Sequence, residues 1–234
     1  MPQQRTLVCR KEEKYILTPA QAAACRARLQ AALEPDAHGG PNGYSVVSLY
    51  FDTPGFGDYY DQQNGEFDRQ KLRLRTYGGD LFKLECKQKR GDLQHKTSLP
   101  LGREAARALC RGDFSALDAD AGDAQTAVFF RTFFLRGYRP QLLIAYERQA
   151  FCMPCGNIRV TLDQNVRSCE TDCDILAPQH AWMPVLDAGT VVLEVKYSGA
   201  LPASVRSVLA PWAAPRSTCS KFGYGHKIFQ MGDL

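Results

Sequence analysis

The amino-acid sequence predicts an α+β fold: an antiparallel β-sheet rolled into a barrel-like tunnel, with helices packed outside it. Two observations carry this expectation. On at least five strand-like segments, charged residues recur at every second position with apolar residues between them. Side chains two apart on a strand share a face, so each segment has one charged and one apolar face. In addition, at least three helical segments carry apolar faces that must cover something. If they cover the apolar faces of the strands, the charged faces turn inward as the sheet closes. The 234 residues, 44% of them hydrophobic, are enough for one sizeable core, and a single domain over residues 1–234 is expected.

The elements follow in order. Residues Leu7 to Leu17 read as extended, and Thr18-Pro19 as a helix cap followed by proline in the first turn. The alanine-rich stretch from Ala20 to Leu33 is helical and stops before Pro35; residues 38–43 form a loop. Tyr44 to Phe51 is a strand by its Val, Leu, Tyr and Phe content, and Asp52-Thr53-Pro54-Gly55 turns the chain. Asp58 to Asn64 is a short helical turn broken at Asn64-Gly65. Lys71 to Tyr77 and Leu81 to Lys89 form a hairpin turning onward at Arg90-Gly91-Asp92, and Gln94 to Leu99 is a strand ended by Pro100. Arg103 to Leu117 and Asp123 to Arg136 are helical, the second with Val128, Phe129, Thr132, Phe133 and Arg136 at helical spacing. Gln141 to Met153 and Asn157 to Val166 make a second hairpin around Pro154-Cys155-Gly156. Val191 to Tyr197 is the last strand, and Pro202 to Leu209 and Ser217 to Phe229 are helices.

Composition excludes some classes. The net charge of +4 is mild and favours anionic partners only weakly. No apolar run approaches the roughly 18 residues needed to span a bilayer, and the start lacks a secretory signal, so a cytoplasmic protein is expected. Among nine cysteines, Cys152/Cys155 and Cys169/Cys173 have spacings that suit zinc. The intervening segment reads as a strand, which separates the pairs by about 30 Å unless it bends. The four histidines show no ligand spacing.

The charged faces carry the chemistry. Glu12 with Lys14, Arg73 with Arg75, Glu85 with Lys87 and Lys89, Tyr146 with Arg148, Arg159 with Thr161 and Asp163, and Glu194 with Lys196 each share a face. A sheet with one wet face would explain each strand alone. Recurrence on five strands, with cations mixed with only a few acids, points instead to a closed interior filled by an anion, because buried cations are costly without one. A chain of phosphates fits: arginine grips phosphate oxygens bidentately and lysine acts as a mobile point charge. The glutamates supply oxygen ligands for a divalent metal, or pair with neighbouring lysines. Nucleic acid is not expected, since the basic residues point into a closed space and no aromatic platform is evident beside them.

Several motifs resemble one family. They are Arg10-Lys11-Glu12-Glu13-Lys14-Tyr15, Ser48-Leu49-Tyr50-Phe51-Asp52-Thr53, Leu72-Arg73-Leu74-Arg75-Thr76-Tyr77-Gly78, and Glu85-Cys86-Lys87 followed by Lys96. Later come Tyr146-Glu147-Arg148, Ile158-Arg159-Val160-Thr161-Leu162-Asp163, Leu193-Glu194-Val195-Lys196-Tyr197 and Ser220-Lys221-Phe222. In this order they resemble the catalytic domain of the vacuolar transporter chaperone (VTC) complex, an inorganic polyphosphate polymerase with the triphosphate tunnel metalloenzyme fold. The resemblance runs from Arg10 to Ile228. Glu12-Glu13-Lys14 departs from the E-x-E-x-K of the CYTH branch, which favours the polymerase branch.

The resemblance implies that Arg73, Arg75, Lys87, Lys196 and Glu194 are catalytic and that Lys14, Lys96, Arg148, Arg159 and Lys221 bind substrate. It implies Mn²⁺ or Mg²⁺ on Glu194, Glu85 and Glu12, with ATP and inorganic polyphosphate as substrates. Lys221 has a simpler reading as a cap of its helix, and Asp52-Thr53 and Asp163 read as turn or strand-end residues. The alternatives are a hydrolase of tripolyphosphate or nucleoside triphosphate, and a non-catalytic polyphosphate or inositol-phosphate sensor. A membrane-protein partner is compatible with the sequence, but no residue identifies one.

Overall fold

The computed structural model describes residues 10–37, 39, 42–91, 93–117, 123–212, 217 and 219–232. Its frame is a ten-stranded sheet in which every pair is antiparallel. The strands are β1 (Arg10–Leu17), β2 (Glu34–Pro35), β3 (Tyr44–Asp52), β4 (Asp68–Thr76), β5 (Phe82–Arg90), β6 (Leu93–Leu101), β7 (Arg139–Met153), β8 (Ile158–Cys169), β9 (Met183–Pro184) and β10 (Val191–Ser198). The main path runs β1-β10-β8-β7-β3-β4-β5-β6, with β2 and β9 as short additions to β7 and β8. The helices are α1 (Pro19–Ala32), α2 (Gly57–Asn64), α3 (Arg103–Cys110), α4 (Ala124–Leu135), α5 (Ala203–Leu209) and α6 (Lys221–Gly232). None is long and apolar enough to cross a membrane.

The sheet is strongly curved but not closed. Among the described residues no backbone ladder joins β1 to β5 or β6. Side chains bridge the seam instead: Lys87 Nζ on β5 donates to Glu12 Oε2 on β1 at 2.9 Å. Charged residues thus do the work that backbone hydrogen bonds do in a sealed barrel.

Helices cover the outer face in two places. Leu72, Leu74, Leu84, Cys86, Leu99 and Leu101 pack beneath Ala106 and Leu109 of α3 and Phe130 and Phe133 of α4. Tyr15, Leu17, Val160, Leu162, Leu193 and Val195 pack beneath Cys25 and Leu29 of α1 and Val205 and Leu209 of α5. Thr18 starts α1 with a reciprocal cap: its Oγ1 accepts from Gln21 N at 3.4 Å, and its own N donates to Gln21 Oε1 at 2.9 Å.

Some boundaries differ from expectation, each for a local reason. Strand β6 runs through Pro100, because it lies at the sheet edge where a missing N–H interrupts no further ladder. Helix α3 ends at Cys110, where Gly112 takes φ +76° and turns the chain. Strand β8 continues past Val166 to Cys169 because Asn165, at φ +53°, forms a bulge. The bulge changes parity: Arg159, Thr161 and Asp163 face inward before it, and Val166 and Ser168 do so after it. Residues 7–9 of the expected first strand and Asp92 of the hairpin turn lie outside the described residues.

Helix α6 begins at Lys221, later than expected, with Ser220 Oγ accepting from Gly223 N at 3.1 Å. It packs on the concave face, not outside. Phe222 stacks on Tyr50 with ring centroids 4.9 Å apart, and belongs to a cluster with Val46, Leu142, Ile144, Tyr146 and Val166. Gly225 permits this approach, since a Cβ there would meet Ile144 Cδ1 at 2.7 Å, Leu142 Cδ2 at 3.0 Å and Ser168 Cβ at 3.2 Å. Gly225→Val is therefore expected to lower stability by about 1–3 kcal/mol through overpacking. Denaturant unfolding checks this, and an unchanged midpoint would show that α6 does not press on β7 and β8.

Candidate functional site

The register of the sheet assembles the charged residues into rungs on the concave face. Going from β3 to β6, one rung is Tyr50, Arg73, Glu85 and Ser98. Arg73 donates from Nε and Nη2 to Glu85 Oε2 at 2.9 and 2.8 Å. Lys96 pairs with the other carboxylate oxygen, and Arg75 Nη1 lies 3.8 Å from Oε2. Burial would raise the Glu85 carboxyl, but Arg73, Arg75 and Lys96 outweigh it and hold the group at about 2. Arg75 is oriented by Ser48 Oγ at 3.0 Å and the Tyr146 hydroxyl at 3.3 Å.

The opposite wall is built by β1, β10 and β8. There Glu12 is in register with Lys196 and Arg159, and Lys14 with Glu194 and Thr161. Lys14 Nζ lies 3.2 Å from Glu12 Oε1, and Lys196 pairs with Glu194. Burial and the neighbouring Glu194 both push the Glu12 carboxyl up, yet Lys196, Lys14 and Lys87 hold it at about 2. Glu194 is pushed up by burial and held well below the usual carboxylate range by Lys196, Lys14 and Lys221.

Between the walls, Arg148 on β7 makes a bidentate pair with Asp163 on β8 at 2.6 and 2.7 Å. Lys221 at the start of α6 reaches the same carboxylate at 2.6 Å and lies 4.9 Å over the Tyr146 ring. Asp163 is fully buried, and this corrects its reading as a strand-end residue. Burial raises its carboxyl, but Lys221 and Arg148 bring it below the ordinary value. Lys221 faces the interior, so it is no cap of its own helix.

The structure thus gathers on one concave surface every residue proposed from the sequence: Arg73, Arg75, Lys87, Lys196 and Glu194, then Lys14, Lys96, Arg148, Arg159 and Lys221, with Glu85 and Glu12. It adds residues that sequence reasoning missed. Lys71 sits two positions before Arg73 on the same face and donates to Ser220 Oγ at 3.0 Å. Extending the alternation by one step would have found it. Burial, with Lys14, Lys87 and Arg73 nearby, pushes its ammonium well below the usual lysine value. Tyr50 is another addition: its hydroxyl accepts from Arg73 Nη1 at 3.5 Å.

One rung stands out electrostatically. Lys71, Lys87 and Lys96 are direct cross-strand partners on β4, β5 and β6. Like charges placed opposite one another on a sheet are destabilising. Glu12 and Glu85 relieve Lys87 and Lys96 in part, while Lys71 hydrogen-bonds an uncharged hydroxyl, Ser220 Oγ.

The carboxylates differ in what they offer a metal. Among the described residues no three His, Cys, Asp or Glu side chains converge. Glu12 and Glu194 are diagonal neighbours on one face, since Glu12 pairs with Lys196 and Lys14 with Glu194 in the β1–β10 register, and carboxylate oxygens are the donor type that Mn²⁺ and Mg²⁺ take. Glu85 fits less well, because its Oε2 is fixed by the Arg73 guanidinium, whereas the Glu12 oxygens are held only by lysines, which can swing away. Cys152/Cys155 and Cys169/Cys173 lie toward opposite ends of the 12-residue strand β8. His226 sits between Phe56 and Tyr59 at centroid distances of 4.2 and 4.4 Å.

The Glu85 environment makes stability acid-sensitive. Its cationic neighbours hold the folded carboxyl at about 2 against an ordinary value of 4.5, so its contribution is complete above about pH 4.5 and is lost as pH falls toward 2. Glu85→Gln is expected to flatten the fall in unfolding free energy between pH 5 and 3 and to lower stability at pH 7 by about 2–4 kcal/mol. Urea titrations across that range check both, and an unchanged pH slope would reject the assignment.

Comparison with known proteins agrees with this architecture. A candidate adenylate cyclase from Bacillus halodurans superposes with a TM-score of 0.54 at 13% identity, covering 89% of this chain and 92% of that one. A second, from Vibrio parahaemolyticus, gives 0.51 at 13% identity, covering 94% and 98%. At that identity they speak for the fold, which is the triphosphate tunnel architecture. No curated protein sequence matches the chain. The VTC domain model matches residues 9–230, nearly the whole length, and the chain belongs to the VTC domain family.

Proposed function

We propose that this chain is a polyphosphate polymerase: it transfers the terminal phosphoryl group of ATP to a growing inorganic polyphosphate. The reading rests above all on the Lys71–Lys87–Lys96 rung, continued by Arg73 and Arg75. Adjacent cations in register are unfavourable by themselves and become favourable when one polyanion threads between them. Inside a partly buried cleft such contacts are stronger than in water.

Phosphoryl transfer asks little covalent chemistry of a protein. It asks for positioning and for charge neutralisation. Arg73 and Arg75 are held rigidly by Glu85, Ser48 and Tyr146, so their guanidiniums are aimed before substrate arrives. Lys87 and Lys96 line the same wall, Lys196 and Lys14 the opposite one, and Arg148, Arg159 and Lys221 complete the lining. A terminal oxygen of the polyphosphate attacks the γ-phosphorus, the bond from that phosphorus to the β–γ bridging oxygen breaks, and ADP leaves with the electron pair. Glu194 and Glu12 would hold the divalent cation, whose charge would stabilise phosphate oxygens. Glu85, initially a candidate ligand, is better used in fixing Arg73 and Lys96. The reading takes the chain as one domain over residues 1–234 acting in the cytoplasm, without nucleic acid.

The direct test incubates purified protein with ATP and Mn²⁺ or Mg²⁺ and resolves the products on a polyphosphate-stained gel. A ladder of long chains is expected, reduced about 10²-fold or more in rate by Arg73→Ala or Glu194→Ala. Release of orthophosphate alone would make the protein a hydrolase. Tight polyphosphate binding with no turnover under either metal would make it a sensor. Separately, inorganic tripolyphosphate at 100 times its Kd is expected to stabilise the fold by about 2.7 kcal/mol, read as a higher unfolding temperature. No shift would count against an anion-filled interior.

A further inference from the structure

Tyr44 and Tyr77 form an aromatic ledge at the end of the cation ladder. Tyr44 opens β3, and Tyr77 follows the last residue of β4, at the end of β3 remote from the Tyr50–Phe222 stack of α6. Their rings meet edge to face with centroids 5.8 Å apart. Arg159 Nη2 donates to the Tyr44 hydroxyl at 2.9 Å and pairs with Asp36 at 2.6 Å, which fixes one ring. The Tyr77 hydroxyl hydrogen-bonds the Arg75 side chain, yet Tyr77 is 41% exposed. Its ring centroid lies 6.0 Å from the Arg75 guanidinium, on the same concave side. Two residues on a strand span about 6.8 Å, so an exposed aromatic surface sits one step beyond a cation that lines the site.

A ring that served only to cover Arg75 would be expected to turn its surface inward. This one turns a large part of it to solvent, braced by a second tyrosine whose hydroxyl is anchored. A ligand with phosphates at one end and a flat heteroaromatic group at the other matches that sequence of surfaces. We propose that Tyr77, braced by Tyr44, is the nucleobase subsite: it stacks the purine of the donor nucleoside triphosphate while Arg75 and Arg73 receive the phosphates. The ledge thereby orients the nucleotide with its base outward and its terminal phosphate toward the interior. It also distinguishes a nucleotide from a bare polyphosphate, which has nothing to place there. The inference rests on the phosphate-binding reading above and extends it to the donor's identity.

Calorimetric titration of the full chain separates the two. Kd values for ATP and for inorganic tripolyphosphate are measured for the wild type, Tyr77→Ala and Tyr77→Trp. Base–aromatic stacking predicts that Tyr77→Ala weakens ATP about tenfold, leaves tripolyphosphate within about twofold, and that Tyr77→Trp restores ATP affinity. Equal weakening of both ligands, or no weakening of ATP, overturns the nucleobase subsite while leaving the phosphate site standing. A wild-type chain that binds neither ligand overturns the phosphate-binding reading and this one with it.

Discussion

The structure depends on a concentration of positive charge held on the inside of a curved sheet. Cations outnumber carboxylates on the concave face, and many of them are largely removed from water. The fold tolerates this because each carboxylate serves more than one cation. Glu85 holds Arg73, Arg75 and Lys96. Asp163 holds Arg148 and Lys221. Glu12 holds Lys14 and Lys87. Truncating a shared partner leaves several buried charges uncompensated, so such a site is brittle to single substitutions even though its net contribution to stability is small.

The same pairs shape the sheet. Backbone ladders end at β1 and β6, and the seam between them is spanned by the Lys87–Glu12 contact. A seam of side chains can yield locally without breaking a ladder. Helix α6 closes the concave surface from another direction, because Gly225 lets it lie directly on β7 and β8. The outer helices, by contrast, touch the site only through the strands: α1, α3, α4 and α5 bury apolar area and leave the polar face to the interior.

Much of this was legible in the alternation of residues. Strand parity alone separated Leu72 and Leu74 from Arg73 and Arg75, and Leu84 and Cys86 from Glu85 and Lys87, and the structure places each group on its expected side. What parity could not show was long-range register. Nothing local to Asp163 reveals that Arg148 and Lys221, 15 and 58 positions away, converge on it. Nothing local to Asn165 announces a bulge that turns Val166 and Ser168 inward, since asparagine at positive φ is uncommon but permitted. The placement of α6 was missed because an amphipathic helix does not declare which surface of a sheet it covers. The aromatic ledge was missed for a related reason: Tyr44 and Tyr77 are 33 positions apart and meet only through the β3–β4 pairing.

The carboxylates also divide by what their surroundings leave undone. Glu85 and Asp163 are each enclosed by cations, so they act as struts that hold guanidinium and ammonium groups apart in fixed directions. On the proposed function that preorganisation would matter, because a site whose charges are already aimed need not reorganise when the substrate's charge shifts during transfer. Glu12 and Glu194 differ. They push against each other while surrounded by lysines, and the cations that hold them ionised do not remove that repulsion. Lysine ammoniums are point charges on long flexible stems and can move to an arriving phosphate, whereas the arginines opposite are braced in place. On the proposed function, phosphates that drew Lys14, Lys87 and Lys196 toward themselves would take counter-ions from both carboxylates together. The repulsion between them would then grow as the polyanion bound, and a divalent cation held by Glu12 and Glu194 would relieve it. Metal and anion would on this argument bind cooperatively, each making the site more favourable for the other.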